Sequence, residues 1–326
     1  MCTAISFKSN DHYFGRNLDL EYSYNETVTI TPRNYVFRFR KIEKVESHFA
    51  MIGMAYIADG YPLYYDATNE MGLSIAALNF PKNAHYNPFC EGKDNITPFE
   101  LIPWILCRCA TVNEAEKLLK RINILNENFS EQLPLSPLHW IISDKERSIT
   151  LESVKSGINI YDNPVGVLTN NPTFDYQLFN LNNYISLSND AAQNTFAQNN
   201  DFKLEQYSRG MGAMGLPGDF SSMSRFVRAT FVKLNSVLGK SEEENVSQFF
   251  HILKTVEMPR GCVKAGEDNY AITIYSSCCN TDRGIYYYTT YGNSQINAVD
   301  MHKENLNSNT LIAYPLKIQQ SINHQN

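Results

Sequence analysis

Short apolar stretches, alternating or continuous and bounded by turn residues, are spread along the chain and predict strands. The clearest covers residues 27–31, where β-branched residues alternate before Pro32. In chain order the predicted strands cover residues 3–7, 12–14, 27–31, 48–57, 72–80, 138–143, 148–154, 157–161, 166–169, 270–277, 285–291 and 295–299. The pattern indicates several antiparallel meanders.

Helices are predicted where apolar residues recur at helical spacing behind a capping signal. A Ser or Thr stands three residues before a Glu at three places, which is the capping-box pattern. The pairs are Thr97 with Glu100, Thr111 with Glu114, and Ser241 with Glu244. The last helix is predicted to run to residue 256, and another covers 224–234. Because strands and helices come in blocks rather than in βαβ alternation, the pattern favours an α+β fold over a doubly wound one.

Residues 181–206 are polar and rich in Asn, and they predict a long surface excursion. The glycine-rich segment 210–215 then satisfies the G-x-G-x-x-G dinucleotide pattern. That motif acts through a preceding strand and a helix whose N-terminus meets the pyrophosphate. Here a polar segment precedes it and the turn residues 216–219 follow. We interpret it as a loop, with a nicotinamide-dependent oxidoreductase as an alternative from a different functional class.

Charge and hydropathy exclude several partners. The 326 residues carry 28 Lys and Arg against 34 Asp and Glu, a net charge of −6. This balance lacks the basic footprint of a nucleic-acid binder. No stretch reaches the roughly 18 apolar residues that cross a bilayer, and residues 1–11 do not resemble a signal peptide. We therefore expect a cytoplasmic protein with no membrane association and, given 20 Tyr and 18 Phe, an aromatic-lined pocket.

The seven cysteines are an odd number spread over a long chain, which is not typical of a disulfide framework. Cys107 with Cys109, and Cys278 with Cys279, have no histidine at zinc-site spacing. We interpret these four as buried thiols and expect no metal and no cofactor. His139, in a predicted strand, is interpreted as a hydrogen-bonded core histidine rather than a catalytic base.

Cys2 directly follows Met1, and removal of Met1 would leave a thiol and a free α-amino group on one residue. Their ordinary pKa values, about 8.5 and about 7.7–8.0, allow proton transfer between them near neutral pH. The strand predicted over 3–7 would hold this terminus in a sheet, and a hairpin would return Arg16 and Asp19 beside it. From the residues alone, two alternatives stay open: Cys2 is incidental at its position, and Arg16 with Asp19 is an ordinary surface ion pair.

Several short motifs occur in an order that spans nearly the whole chain. They are Met1-Cys2-Thr3, Gly15-Arg16-Asn17-Leu18-Asp19, Leu78-Asn79-Phe80, the segment 168–175, Gly215-Leu216-Pro217-Gly218-Asp219, Ser224-Arg225-Phe226 and the segment 296–301. In these motifs the chain resembles the choloylglycine hydrolases, which comprise bile salt hydrolases and penicillin V acylases among the N-terminal-nucleophile hydrolases. The likeness is greatest to the bile salt hydrolases of gut bacteria.

The resemblance implies a four-layer αββα sandwich, with residues 2–326 as a single domain after loss of Met1. It also implies a role for each matching residue. Cys2 is nucleophile and base, Asp19 orients the α-amino group, Arg16 lies beside the thiol, Asn79 and Asn170 stabilise the oxyanion, and Arg225 supports the site. The implied reaction needs no metal or cofactor.

The implied substrate is a glycine- or taurine-conjugated bile salt, with penicillin V as the alternative within the family. The apolar segments 61–65 and 129–138 are suited to a pocket wall, and Leu18, Tyr65 and Leu133 are the candidate wall residues. Ordinary core packing is the competing interpretation of each. The resemblance further implies a homotetramer, and a non-catalytic homologue or binding protein remains a third functional alternative.

Overall fold

The computed structural model describes residues 1–196 and 203–326. In these ranges the chain forms strands labelled β1 to β16 in chain order. They are β1 (Cys2–Lys8), β2 (His12–Leu20), β3 (Thr27–Thr31), β4 (Met51–Ala58), β5 (Tyr61–Asn69), β6 (Ser74–Asn79), β7 (Asp94–Ile96), β8 (Ile122–Ile124), β9 (Leu138–Ser143), β10 (Ser148–Val154), β11 (Gly157–Asp162), β12 (Val167–Leu168), β13 (Ile272–Asn280), β14 (Ile285–Thr290), β15 (Asn293–Asp300) and β16 (Ile312–Pro315).

The α-helices of the described residues are labelled in the same way. They are α1 (Leu101–Leu106), α2 (Val112–Leu119), α3 (Phe174–Asn180), α4 (Ser222–Asn235) and α5 (Glu242–Lys254). Short 3-10 helices cover Leu181–Tyr184, Met211–Ala213 and Met301–Lys303.

Two large antiparallel sheets form the centre of the molecule. One has six strands in the order β12-β1-β2-β13-β14-β15, and the other has eight in the order β11-β10-β9-β6-β5-β4-β3-β16. A separate parallel pair joins β7 and β8. Strands β1 and β2 lie inside the six-stranded sheet and contact β6 of the other sheet. The beginning of the chain is thus held at the interface of the two sheets.

Helices cover the outer face of each sheet. Helices α4 and α5 contact β1 and β2 of the six-stranded sheet, whereas α1 contacts β5 and β6 of the eight-stranded sheet. The buried apolar residues fall into two clusters: one includes the space between the sheets, and the other lies between the eight-stranded sheet and helices α1 and α2. The αββα sandwich is therefore confirmed.

The helix starts show where local signals were sufficient. At Ser241 both halves of the capping box form, and α5 begins at Glu242. At Thr111 the hydroxyl accepts the Glu114 N–H, so α2 begins where predicted. The start predicted at Thr97 is wrong. The Glu100 carboxylate does accept hydrogen bonds from the backbone N–H and hydroxyl of Thr97, but this closes a turn, and α1 begins at Leu101.

The strands differ from prediction in β2, which is longer than predicted, and in β5, β7, β8 and β16, which were not predicted. Strand β2 continues through the Gly15–Asp19 motif, because Gly15 leaves room for the neighbouring strand: a Cβ there would lie 2.0 Å from the Ser277 carbonyl oxygen. Strand β5 was not predicted, since Pro62 and the polar residues at its end interrupt the pattern. The missed strand carries Tyr65 into the sandwich.

The described part of the 181–206 excursion contains the 3-10 helix Leu181–Tyr184 and is mostly exposed; residues 197–202 lie outside the described residues. The segment 210–215 forms only the three-residue 3-10 helix Met211–Ala213, with Gly210 and Gly215 at positive φ. The predicted loop is confirmed, and the segment does not open a helix of the kind that binds pyrophosphate.

Candidate active site

The hairpin of β1 and β2 brings the start of the chain beside the Arg16–Asp19 segment. In its register Cys2 lies opposite Leu18, and Ala4 lies opposite Arg16. The strand pairing extends to Met1, whose carbonyl oxygen accepts the Asp19 N–H at 2.9 Å and whose ammonium donates to the Asp19 carbonyl oxygen at 2.6 Å. Arg16 and Asp19 are both fully buried, so they are not a surface ion pair.

A cavity of about 470 Å³ opens beside Cys2. Cys2, Arg16 and Asn79 line it together, and its walls are mainly apolar and aromatic. The wall residues include Leu18, Leu20, Tyr24, Tyr56, Tyr65, Phe99, Phe129, Leu133, Pro134 and Leu138. All three wall residues expected from the sequence, Leu18, Tyr65 and Leu133, are among them. The site therefore joins a thiol and polar groups to a pocket suited to an apolar ligand.

Asp19 is held in one orientation by Thr273. The Thr273 hydroxyl donates to Asp19 Oδ1 at 2.6 Å and accepts the Met258 backbone N–H at 2.9 Å. Asp19 Oδ2 is buried and has no hydrogen-bond partner among the described residues. Burial raises the pKa of Asp19, whereas Arg225 and the chain's amino group oppose that rise. A buried carboxylate oxygen that lacks a partner in the described part of the chain is unusual, and it is available to a cationic donor.

Arg16 places a buried cation beside the thiol. Its Nη1 donates to the carbonyl oxygens of Tyr65, at 3.0 Å, and Ala77. Its Nη2 has no hydrogen-bond partner among the described residues. Burial by itself lowers the pKa of Arg16, but attraction to the negative charges that Cys2, Tyr275 and Asp66 carry when ionised outweighs burial and raises that pKa. Arg16 therefore stays charged and can stabilise a thiolate.

A hydrogen-bond network centred on Asn170 joins the other polar residues. Asn170 Oδ1 accepts from the Cys2 backbone nitrogen at 2.9 Å and from Arg225 Nη2 at 2.7 Å. Asn170 Nδ2 donates to the Asn79 carbonyl oxygen at 2.7 Å. Arg225 Nη1 donates to the Cys2 carbonyl oxygen at 2.5 Å and to Thr3 Oγ1 at 2.7 Å. The network fixes the backbone of Cys2 from two sides.

Arg225 reaches this network from the first turns of α4, which begins at the Ser221 cap. It is fully buried, and burial lowers its pKa, while Asp19 and Cys2 oppose that change. Arg225 Nε donates to the Phe220 carbonyl oxygen at 3.0 Å, which anchors the side chain at the helix start. A helix on the outer face of the sheet thus supports the strand that begins with Cys2.

The structure brings the nine predicted site residues into one region. Cys2, Arg16, Asn79 and the three wall residues line the cavity. Asn170 and Arg225 hydrogen-bond directly to Cys2, and Asp19 pairs with Met1, which directly precedes the neighbouring strand. Sequence reasoning missed Thr273 and the aromatic wall residues Tyr24, Tyr56 and Phe99. No local pattern marks these four, because they come from separate strands and loops.

The structure also bears on metal binding, on four other cysteines, on membrane-spanning helices and on a second cavity. Among the described residues, no three His, Cys, Asp or Glu side chains form a cluster fit to hold a metal ion. Cys107, Cys109, Cys278 and Cys279 are buried free thiols. Over residues 1–196 and 203–326, no helix has the length and apolar character to cross a membrane. A second cavity, of about 440 Å³, lies away from Cys2 and is lined by polar residues including His12 and Lys233.

Comparison with known proteins agrees with this geometry. Residues 2–314 match the family described as linear amide C–N hydrolases, choloylglycine hydrolase family. The chain is 59% identical to a bile salt hydrolase/transferase of Lactiplantibacillus plantarum over 317 residues, covering 97% of each chain.

Solved structures show the same fold. A mutant conjugated bile acid hydrolase from Clostridium perfringens superposes with a TM-score of 0.92 at 40% identity, over the full length of both chains. A penicillin V acylase from Agrobacterium tumefaciens shares the fold with a TM-score of 0.75 at 20% identity, covering 98% of this chain and 94% of the other. By its sequence, its sandwich and the residues gathered around Cys2, the chain belongs to the choloylglycine hydrolase family of linear amide C–N hydrolases.

Proposed function

We propose that this protein hydrolyses the amide bond of glycine- or taurine-conjugated bile salts, with Cys2 as the nucleophile. The observation that carries the proposal is the position of Cys2, which lines an apolar cavity together with Arg16 and Asn79. The 59% identity with a bile salt hydrolase/transferase supports the choice of substrate. A bile salt has a rigid apolar steroid, which the aromatic walls suit, and a small anionic amine component.

The first half of the proposed reaction begins when Met1 is removed. The Cys2 nitrogen then becomes an α-amino group that donates to Asn170 Oδ1. Asp19, which pairs with Met1 and whose Oδ2 has no hydrogen-bond partner among the described residues, is the second candidate acceptor. The amine takes the thiol proton, and the thiolate attacks the amide carbonyl carbon. The oxyanion that forms accepts hydrogen bonds from the side-chain amide of Asn79 and from the second Nδ2 hydrogen of Asn170, the one not donated to the Asn79 carbonyl oxygen.

The second half of the proposed reaction returns the enzyme to its starting state. The α-ammonium protonates the departing nitrogen, so the C–N bond breaks and glycine or taurine leaves a thioester on Cys2. Water then attacks the thioester, the α-amine accepts its proton, and the bile acid departs as the thiol reforms. Arg16 stabilises the thiolate in both halves, and Arg225 keeps Asn170 and the Cys2 backbone in position.

Penicillin V is the second substrate to test, because its aromatic acyl group suits the same cavity. The penicillin V acylase structure, at 20% identity, supports only the fold. The substrate experiment compares the hydrolysis rates of glycocholate, taurocholate and penicillin V. We expect either conjugated bile salt to be cleaved at least about tenfold faster than penicillin V, and the opposite ranking contradicts the substrate proposal.

The processing step has its own measurement. We expect the intact mass of active enzyme to lack Met1, and Cys2 to take up one equivalent of iodoacetamide faster than any other cysteine. Retention of Met1 in fully active enzyme contradicts the mechanism. We further propose that residues 2–326 form one domain of a cytoplasmic homotetramer, as the family resemblance suggests.

A further inference from the structure

The imidazole of His139 lies against the segments that carry Asn79 and Asn170, the two proposed oxyanion donors. His139 is a fully buried residue of β9, and its ring stacks on that of Phe80 with centroids 4.2 Å apart and planes 6° apart. Phe80 directly follows Asn79 in the chain. His139 Nε2 lies 3.0 Å from the Thr169 carbonyl oxygen, and Thr169 directly precedes Asn170. The same ring therefore contacts the chain neighbour of each asparagine.

Glu152 on β10 holds this imidazole from its other side. His139 Nδ1 lies 3.1 Å from Glu152 Oε1, and that oxygen also accepts the Phe174 backbone N–H at 3.0 Å. Because a carbonyl oxygen only accepts, the contact with Thr169 requires a hydrogen on Nε2 of His139. A carboxylate oxygen also only accepts, so a further hydrogen must lie between Nδ1 and Glu152 Oε1, carried by either group. The two contacts together fix the orientation of the ring.

Neither His139 nor Glu152 reaches the reaction site. Both are fully buried, and neither lines the cavity beside Cys2. The two asparagine segments are joined to each other by the 2.7 Å hydrogen bond from Asn170 Nδ2 to the Asn79 carbonyl oxygen. A displacement of the imidazole therefore shifts the Asn79 and Asn170 segments together rather than one side chain.

We propose that His139, oriented by Glu152, is a positioning residue that keeps Asn79 and Asn170 aimed at the oxyanion. The inference rests on the proposed amide hydrolysis at Cys2. Oxyanion donors act through preorganisation, so they must be held to within about 0.5 Å of the productive position. A misplacement of about 1 Å costs up to about 10²-fold in rate.

The first experiment replaces the imidazole. His139→Phe keeps an aromatic ring against Phe80 but removes both polar contacts, and His139→Gln restores an N–H near the position of Nε2. We expect His139→Phe to lower kcat for glycocholate about 10- to 100-fold while KM changes less than about twofold. In His139→Gln, the fall in log kcat should be smaller than in His139→Phe by at least about a third.

A matched control separates positioning from general loss of stability. Ile142 lies on the same strand, is fully buried, and packs in the apolar cluster against α1 and α2. Ile142→Ala should lower the melting temperature yet leave kcat unchanged when assayed well below that temperature. An equal loss of kcat in Ile142→Ala and His139→Phe overturns the positioning role.

Glu152→Gln is the second variant. It keeps the shape of the side chain, so it tests the proposal even if His139→Phe fails to fold. Gln keeps an oxygen for the Phe174 N–H. That oxygen can accept from Nδ1 only when both ring nitrogens carry hydrogens, and an uncharged amide holds such a ring less strongly than a carboxylate does. We expect kcat to fall about 3- to 30-fold, with KM within twofold of the original. An unchanged kcat in Glu152→Gln contradicts the proposal.

A double-mutant cycle shows whether the effect passes through Asn170. In the Asn170→Ala background we expect Glu152→Gln to cost at least about threefold less than in the original enzyme, because coupled residues are not additive. If the fold-loss of kcat in the double variant equals the product of the losses in Asn170→Ala and Glu152→Gln, the proposed route through Asn170 is refuted. If the unmodified enzyme does not hydrolyse glycocholate, the proposed function fails; if it does and the variants match it, only the positioning role fails.

Discussion

The backbone nitrogen of Cys2 donates a 2.9 Å hydrogen bond to Oδ1 of Asn170, although the two residues are 168 positions apart. When Met1 is removed, that nitrogen becomes the α-amino group of the proposed nucleophile. Asn170 then holds an atom of the reaction itself, and Asp19 Oδ2, which has no partner among the described residues, is the second candidate acceptor. The following predictions test what each contact contributes.

Removal of the Cys2 thiol should abolish turnover without unfolding the protein. Cys2→Ala should lower kcat/KM for glycocholate at least about 10³-fold, because no other group forms the thioester. Glycine release measures the rate, and thermal unfolding tests the fold. Cys90→Ala is the control, since Cys90 is exposed and does not line the cavity. Turnover by Cys2→Ala within tenfold of the original would exclude the assigned nucleophile.

Loss of the Thr273 hydroxyl should reduce turnover through Asp19. Thr273→Val removes the 2.6 Å hydrogen bond to Asp19 Oδ1 and also the acceptor for the Met258 N–H. We expect kcat to fall about tenfold, because the carboxylate no longer has one fixed orientation. Thr273→Ser keeps the hydroxyl and should retain most of the activity. If Ser and Val variants have equal kcat values, the hydrogen bond to Asp19 is not needed for turnover.

The cavity wall should control substrate affinity more than the chemical step. Leu133 lines the cavity, and Leu133→Ala removes apolar surface worth about 1–2 kcal/mol if a steroid packs there. We expect KM for glycocholate to rise roughly 5- to 30-fold with a smaller change in kcat. Leu234→Ala is the control, because Leu234 is 63% exposed on α4. An unchanged KM in Leu133→Ala would place the steroid elsewhere.

His12 should contribute stability that is lost in mild acid. This residue is 2% exposed, and burial lowers its pKa from 6.5 to about 4. The unfolded chain binds the proton first, so the stabilisation is present above pH 6.5 and is lost as the pH falls toward 4. The free energy of unfolding should lose about 2 kcal/mol between pH 7 and pH 4.5 through this group.

Urea unfolding of the original protein and of His12→Gln, at both pH values, isolates that contribution. The difference between the two proteins is the relevant quantity, because buried carboxyls such as Asp19 have raised pKa values and act in the opposite direction. His324→Gln is the control, as His324 is exposed. An identical pH dependence in His12→Gln and the original protein would rule out His12 as the group responsible.

Features that depend on neighbours in sequence were predicted well. The β-branched alternation before Pro32 gave β3 with its observed bounds, and the Ser241–Glu244 signal located the start of α5. The capping pattern at Thr97 failed because its hydrogen bonds close a turn instead. A local pattern specifies which groups can form a hydrogen bond. The surrounding chain decides whether that hydrogen bond caps a helix or closes a turn.

The residues of the candidate site likewise fall into those that lie close in sequence and those that lie far apart. Cys2 and the hairpin partners Arg16 and Asp19 are separated by few residues, so strand pairing alone brings them together. Asn79 and Asn170 are 91 positions apart, and Thr273 is 254 positions from Asp19. Asn is common in this chain, so only the family resemblance singled out those two, and nothing singled out Thr273.

The amino-acid sequence by itself determined the chemistry available: a cysteine at position 2, a strand to hold it, and ordered motifs that resemble one hydrolase family. Tertiary structure alone decided that one carboxylate oxygen of Asp19 has no partner within residues 1–196 and 203–326, that Thr273 orients this carboxylate, and that His139 contacts the chain neighbours of both asparagines. The physical reason is that hydrogen-bond partners are set by distances of a few ångströms between strands of two sheets. Those distances follow from packing of residues far apart in the chain, which no local pattern encodes.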